Sequence, residues 1–156
     1  MRRPSRAVLG TTAASTLTAV LGSVGTRAGS TWYRELDKPS WQPPGEVFGP
    51  TWTSLYGLIA GGTGRSLARL PGRERPAYWA ALGTNLALNA AWSWLFFTAH
   101  RPRWALIDSL LLEFSTLDLL RRSARVDRPA ALMLAPYAGW VAFATILVGE
   151  ISRRNA

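Results

Sequence analysis

The residues in this chain whose types and spacing suit chemistry are aromatic rings and side-chain amides. Phe48, Trp52 and Tyr56 recur at intervals of four; so do Asn85 and Asn89, with Trp92 three further on. Trp104 and Asp108 repeat the four-residue step, and Tyr137, Trp140 and Ala144 follow at three and four. Residues spaced in this way share one face of a helix. Rings and amides on a common face grip a flat apolar molecule through stacking and a few oriented hydrogen bonds. They are poor tools for acid–base catalysis. Asp108 has no histidine or second carboxylate on its face, which favours a hydrogen-bond acceptor over a catalytic base. His100, the one histidine, falls in a connection and reads as solvated; no metal site is expected. The absence of cysteine excludes disulfides, thiolate-bound metals and thiol nucleophiles. Motifs for phosphate loops, dinucleotide folds, zinc hydrolases and hydrolase triads are missing.

Five apolar segments carry these faces: about 7–26, 47–68, 76–99, 103–120 and 129–151. Each is near the roughly 20 residues a helix needs to cross a bilayer. Charged residues make up only 17% of the chain's 156, against about 25% in ordinary soluble domains. The reading is therefore one all-α integral membrane domain, a bundle of five transmembrane helices. The first segment, behind Arg2, Arg3 and Arg6, also has the outline of a signal peptide. Its length and its Gly10, Ala14, Gly22 and Gly25 instead favour a span that packs closely. The net charge of +9 invites nucleic acid as a partner, but the arginines sit in short clusters between apolar runs, so no nucleic acid is expected. With the N-terminus inside, eleven of the 18 basic residues fall on the cytoplasmic side, a bias that points to N-in, C-out topology.

Between the first two segments lies a polar stretch, residues 27–46, followed by Pro50. Pro39, Pro43, Pro44 and Pro50 cannot donate backbone hydrogen bonds and push their predecessors toward extended geometry, so the stretch is stiff. A stiff loop bearing Trp32, Tyr33 and Trp41 reads as a lid. Trp32, Trp41, Trp79 and Trp94 suit an interfacial belt or simple packing, and Trp41 is carried as a ligand contact as well.

Amides and a carboxylate inside a bilayer normally face the bundle interior. The four inward stripes then line a pocket under the lid, with candidate contacts Trp41, Phe48, Trp52, Tyr56, Asn85, Asn89, Trp92, Trp104, Asp108, Tyr137, Trp140 and Ala144. Asn85 and Asn89 are equally suited to bonding neighbouring helices. Glu113 and Asp118 fall on other faces, and nothing in the pattern explains Glu113.

KPSWQPP at 38–44, FGPTWTSLY at 48–56, NLALNAAWSWLFF at 85–97, WALID at 104–108 and PYAGWVAFAT at 136–145 resemble the tryptophan-rich sensory protein and translocator protein family, also called the peripheral-type benzodiazepine receptors. The likeness runs from about residue 32 to 151; the first segment matches only in character. The resemblance implies a five-helix membrane bundle, commonly a homodimer, that binds porphyrins and related tetrapyrroles under the loop between helices one and two. It implies that Trp52 and Trp140 are the tryptophans linked to light-dependent porphyrin breakdown, a possible enzymatic role, with Tyr56, Asn89, Trp92, Trp104 and Ala144 lining the same pocket. The sterol-recognition pattern of the last helix departs here, with Val148, Gly149 and Glu150 in place of its central tyrosine, which puts sterol binding in doubt. A flat macrocycle also suits the residues themselves. Its ring gains from burial at about 25 cal/mol per Å², and its propionates want rim cations, for which Arg34, Lys38, Arg101 and Arg103 are the candidates. No axial ligand is apparent, so the expected ligand is protoporphyrin, or haem held by its edge, and no cofactor is required. The expected location is the cytoplasmic membrane of a bacterium.

Overall fold

In a computed structural model, which describes residues 6–156, the regular structure among these residues is all helical: α1 (Arg6–Gly25), α2 (Thr31–Glu35), α3 (Gly45–Arg69), α4 (Arg75–Ser93), α5 (Pro102–Val126) and α6 (Arg128–Arg154). Arg2 and Arg3, which contribute to the orientation argument, lie outside the described residues. By length and hydropathy alone, α1 and α6 are apolar enough to cross a membrane, with mean hydropathy of 1.4 and 1.8 over their most apolar stretches.

The helices start and stop where local chemistry directs. Pro76, Pro102 and Pro129 stand in the first turns of α4, α5 and α6, where a missing N–H costs nothing. The lid is not wholly loop, because Ser30 caps α2 by accepting from the Tyr33 N–H at 3.3 Å. α5 runs to Val126, six residues past the apolar segment. Hydropathy ended that segment at Arg121, but arginine is a good helix former and Arg122 pairs with Asp118 one turn back at 2.5 Å. α4 closes in a π-turn, Trp94–Thr98, where the Ala99 N–H reaches back to the Trp94 carbonyl at 2.8 Å.

α1 lies against α3 and α4, and α6 against α3 and α5. Gly64 sets the first contact: a Cβ there would stand 2.7 Å from Thr11 Oγ1 and 2.9 Å from Val8 Cα. Thr11 uses the close approach to donate to the Ala60 carbonyl at 2.8 Å. At the other end of α1, the Trp94 indole N–H donates to the Leu21 carbonyl at 3.0 Å, and Thr98 Oγ1 donates to the Gly25 carbonyl at 3.0 Å. Asp127, at the start of α6, is buried and holds α3 through Arg65 at 2.5 Å and through Arg69. One apolar core, including Ile59, Leu67, Leu82, Leu119 and Leu134, fills the bundle. A second, including Phe96, Phe97, Leu147 and Val148, lies under α2 and packs on Trp32, Tyr33 and Leu36.

Candidate functional site

Between α1, α3, α4, α5, α6 and the lid lies a cavity of about 920 Å³, lined largely by apolar atoms. That volume is within the roughly 300–1,000 Å³ of small-molecule sites. α3 presents Phe48, Trp52 and Tyr56, α4 presents Asn89 and Trp92, and α6 presents Trp140 and Ala144, each on the shared face that the residue spacing marks out. The rings brace one another. Trp52 lies 5.6 Å from Tyr56, Phe48 meets Trp140 edge-on at 5.7 Å, and Trp92 stacks on Phe96 at 5.2 Å with planes 4° apart.

Five of the candidates lie outside this lining, and each for a visible reason. Asn85 and Tyr137 are fully buried and spend their polar atoms on each other and on neighbours: Tyr137 Oη donates to Asn85 Oδ1 at 3.0 Å, and Asn85 Nδ2 donates to Thr116 Oγ1 at 2.9 Å. Trp104 turns to the outer face of the bundle and is 56% exposed. Asp108, one turn on, is buried in the packing with Oδ2 unpartnered, and its neighbour Ser109 reaches the cavity in its place. Trp41 is largely exposed and meets Phe143 edge-on at 6.0 Å.

None of the four rim cations lines the cavity either. Arg34 donates to the Gly29 carbonyl at 2.7 Å and to Thr31 Oγ1 at 3.3 Å. Lys38 donates to the Arg34 and Leu36 carbonyls and sits 4.7 Å above the Tyr33 ring. Both therefore hold the lid in shape. Arg101, at the N-cap of α5, and Arg103, in its first turn, are both exposed. His100, beside them, is exposed but stacks on Trp32 at 4.3 Å and takes a left-handed backbone, φ 54°.

The lid contributes Tyr33 and Gln42 to the lining, joined by a Gln42 Nε2 to Tyr33 Oη bond of 3.2 Å. Burial pushes the Tyr33 phenol above its usual range, and the bond from Gln42 partly opposes this. The wall that the aromatic stripes leave unaccounted for is α1, with Thr12, Ser15, Thr16, Ala19, Gly22 and Ser23, continued by Thr26 just past its end. Its signal is present: Thr12, Thr16, Ala19, Ser23 and Thr26 repeat at intervals of four and three, a stripe of small residues on one side of the segment.

Fold and site together define a class: an all-helical protein, two of whose helices are long and apolar enough to cross a membrane, with an aromatic-walled cavity between the helices and beneath a lid. Residues 8–154 match the model of the TspO/MBR family, and the chain belongs to that family. It is 36% identical to the translocator protein of Bos taurus over 94% of this chain and 89% of that protein. It is 39% identical to the human translocator protein over 81% of this chain and 76% of that one. To the tryptophan-rich protein TspO of Bacillus cereus it is 37% identical, over 80% of this chain and 81% of that protein.

Proposed function

We propose that this protein is a five-span membrane receptor, sensor or carrier that holds porphyrins and related tetrapyrroles in the cavity beneath the lid. The observation that supports this best is the convergence of Trp52, Trp92 and Trp140 from three helices on one cavity of about 920 Å³. Indole faces offer a planar macrocycle stacking surface, and the mostly apolar lining rewards its burial at about 25 cal/mol per Å². The names of the translocator relatives fit a carrier. Propionate arms leaving the lid side meet exposed Arg101 and Arg103, while Arg34 and Lys38 stiffen the cap. The proposed location is the cytoplasmic membrane of a bacterium, and the basic bias favours an N-terminus on the cytoplasmic side with the lid on the outer side. A homodimer is part of the proposal. Titration of protoporphyrin and of haem into the purified protein, followed by tryptophan quenching, tests it: saturable quenching that falls strongly in Trp52→Phe plus Trp140→Phe is expected. Unchanged quenching in that double variant would remove the assignment.

A second reading is a light- and oxygen-dependent porphyrin-degrading enzyme using Trp52 and Trp140. Ring adjacency favours it, since Trp52 lies within 6.4 Å of both Tyr56 and Tyr137, a spacing suited to passing an oxidising equivalent away from a ligand.

A further inference from the structure

At one side of the cavity begins a hydrogen-bond chain with a single direction. Thr116 Oγ1 donates to the Leu112 carbonyl one turn back at 2.8 Å, so its oxygen is free to accept from Asn85 Nδ2 at 2.9 Å. Asn85 Oδ1 accepts from Tyr137 Oη at 3.0 Å, whose oxygen accepts from Asn89 Nδ2 at 3.0 Å. Asn89 Oδ1 then accepts from Tyr56 Oη at 2.6 Å. Asn85, Thr116 and Tyr137 are fully buried and Asn89 is nearly so, and each amide and hydroxyl of the chain finds its partner within the protein.

Reversing every amide and hydroxyl in this chain gives a second arrangement with one bond fewer. Thr116 would have to donate to Asn85 and would release the Leu112 carbonyl, while the Tyr56 proton would have no partner in the protein. A backbone carbonyl can only accept, and this sets the polarity of the whole chain. Its consequence appears at Tyr56, the member of the chain with a ring on the cavity wall beside Asn89. The hydroxyl proton is committed inward, and the oxygen lies toward the α1 wall, 3.8 Å from where a Cβ on Gly22 would stand. The Trp92 indole N–H, on the same cavity lining, is buried and has no hydrogen-bond partner among the described residues.

We propose that Tyr56 determines specificity in this cavity: its hydroxyl is held as a hydrogen-bond acceptor, so the site selects flat apolar molecules with an N–H or O–H donor at the buried edge over isosteres with an acceptor there. The inference rests on the cavity being a ligand site. A donor ligand adds a bond to an intact chain. An acceptor ligand must turn the chain around and give up the Thr116 bond. The difference is one hydrogen bond, roughly threefold to tenfold in affinity.

Carbazole and dibenzofuran, tricyclic isosteres that differ by N–H against ring oxygen, are the probes, titrated calorimetrically into detergent-solubilised protein. Their intrinsic difference in hydration cancels when the affinity ratio of the wild type is divided by that of Tyr56→Phe. This quotient is expected to favour carbazole by roughly threefold to tenfold. Thr116→Val, outside the cavity lining, is expected to lower the preference toward the Tyr56→Phe value, and Thr116→Ser, which keeps the hydroxyl, to retain it. A quotient of one overturns the proposal, as does a full preference in Thr116→Val. If carbazole shows no saturable binding while protoporphyrin still quenches the indoles, the specificity claim fails and the cavity reading stands. If neither binds, both fall.

Discussion

Asp37 in the lid and Asn155 beyond α6 hold each other reciprocally: the Asp37 N–H donates to Asn155 Oδ1 at 3.0 Å, and Asn155 Nδ2 donates to the Asp37 carbonyl at 3.0 Å. Arg154 adds an exposed contact to the Asp37 carboxylate at 3.5 Å. The lid is thus latched to a residue 118 positions away in the chain. Exposed hydrogen bonds are each worth about 1 kcal/mol or less, so this latch governs opening more than folding. Asn155→Ala is expected to speed protoporphyrin release several-fold in stopped-flow quenching and to leave the melting temperature within a few degrees of wild type. An unchanged release rate would show that the lid does not limit exchange.

Tyr137 is the centre of the buried polar chain, bonded to both Asn85 and Asn89. Tyr137→Phe leaves Asn85 Oδ1 and Asn89 Nδ2 without partners, at a cost of about 1–3 kcal/mol for each buried group left unpaired. Thermal melts in detergent are expected to show a clear fall in stability. Trp104→Phe, on the exposed face of α5, is the control and is expected to leave both stability and protoporphyrin quenching unchanged.

Gly64 and Gly57 stand two turns apart on α3 and make opposite predictions. A methyl group at Gly64 meets Val8 Cα at 2.9 Å, backbone that cannot swing aside, so Gly64→Ala is expected to separate α1 from α3 at a cost of about 1–3 kcal/mol. Gly57 has nothing within 4 Å of a built Cβ, and Gly57→Ala is expected to stabilise the helix by up to about 1 kcal/mol. The same detergent melts check both.

Aerobic illumination separates the receptor from the enzyme. If Trp52 and Trp140 carry out porphyrin breakdown, Trp52→Phe and Trp140→Phe each slow loss of the porphyrin absorption band by tenfold or more, a barrier change of about 1.4 kcal/mol. A receptor is expected to bleach its ligand at one rate in wild type and variants alike, and the same assay measures it.

The chain's own residues carried much of this protein. Pro39, Pro43 and Pro44 mark a stiff cap, because a pyrrolidine ring restricts its own φ and its predecessor, whereas Pro50, read with them, stands inside α3, where Gly49 before it is helical. The four-residue and three-residue steps of Phe48, Trp52 and Tyr56, of Asn89 and Trp92, and of Trp140 and Ala144 marked helix faces, since a helical period is local. What local spacing leaves open is which way a face turns. In a membrane the usual guide fails, because lipid and bundle interior are both apolar and an amphipathic stripe does not reveal its side. Trp104 therefore had the right spacing and the wrong direction, while the small residues of α1 became a cavity wall only once Gly64 let that helix settle on α3. Tyr137, read as a ligand contact, and Asn85, read as equally suited to a ligand or to a neighbouring helix, bond each other across 52 positions of sequence. Only the tertiary structure decided that, because a hydrogen bond between distant residues exists only after packing has brought its donor and acceptor together.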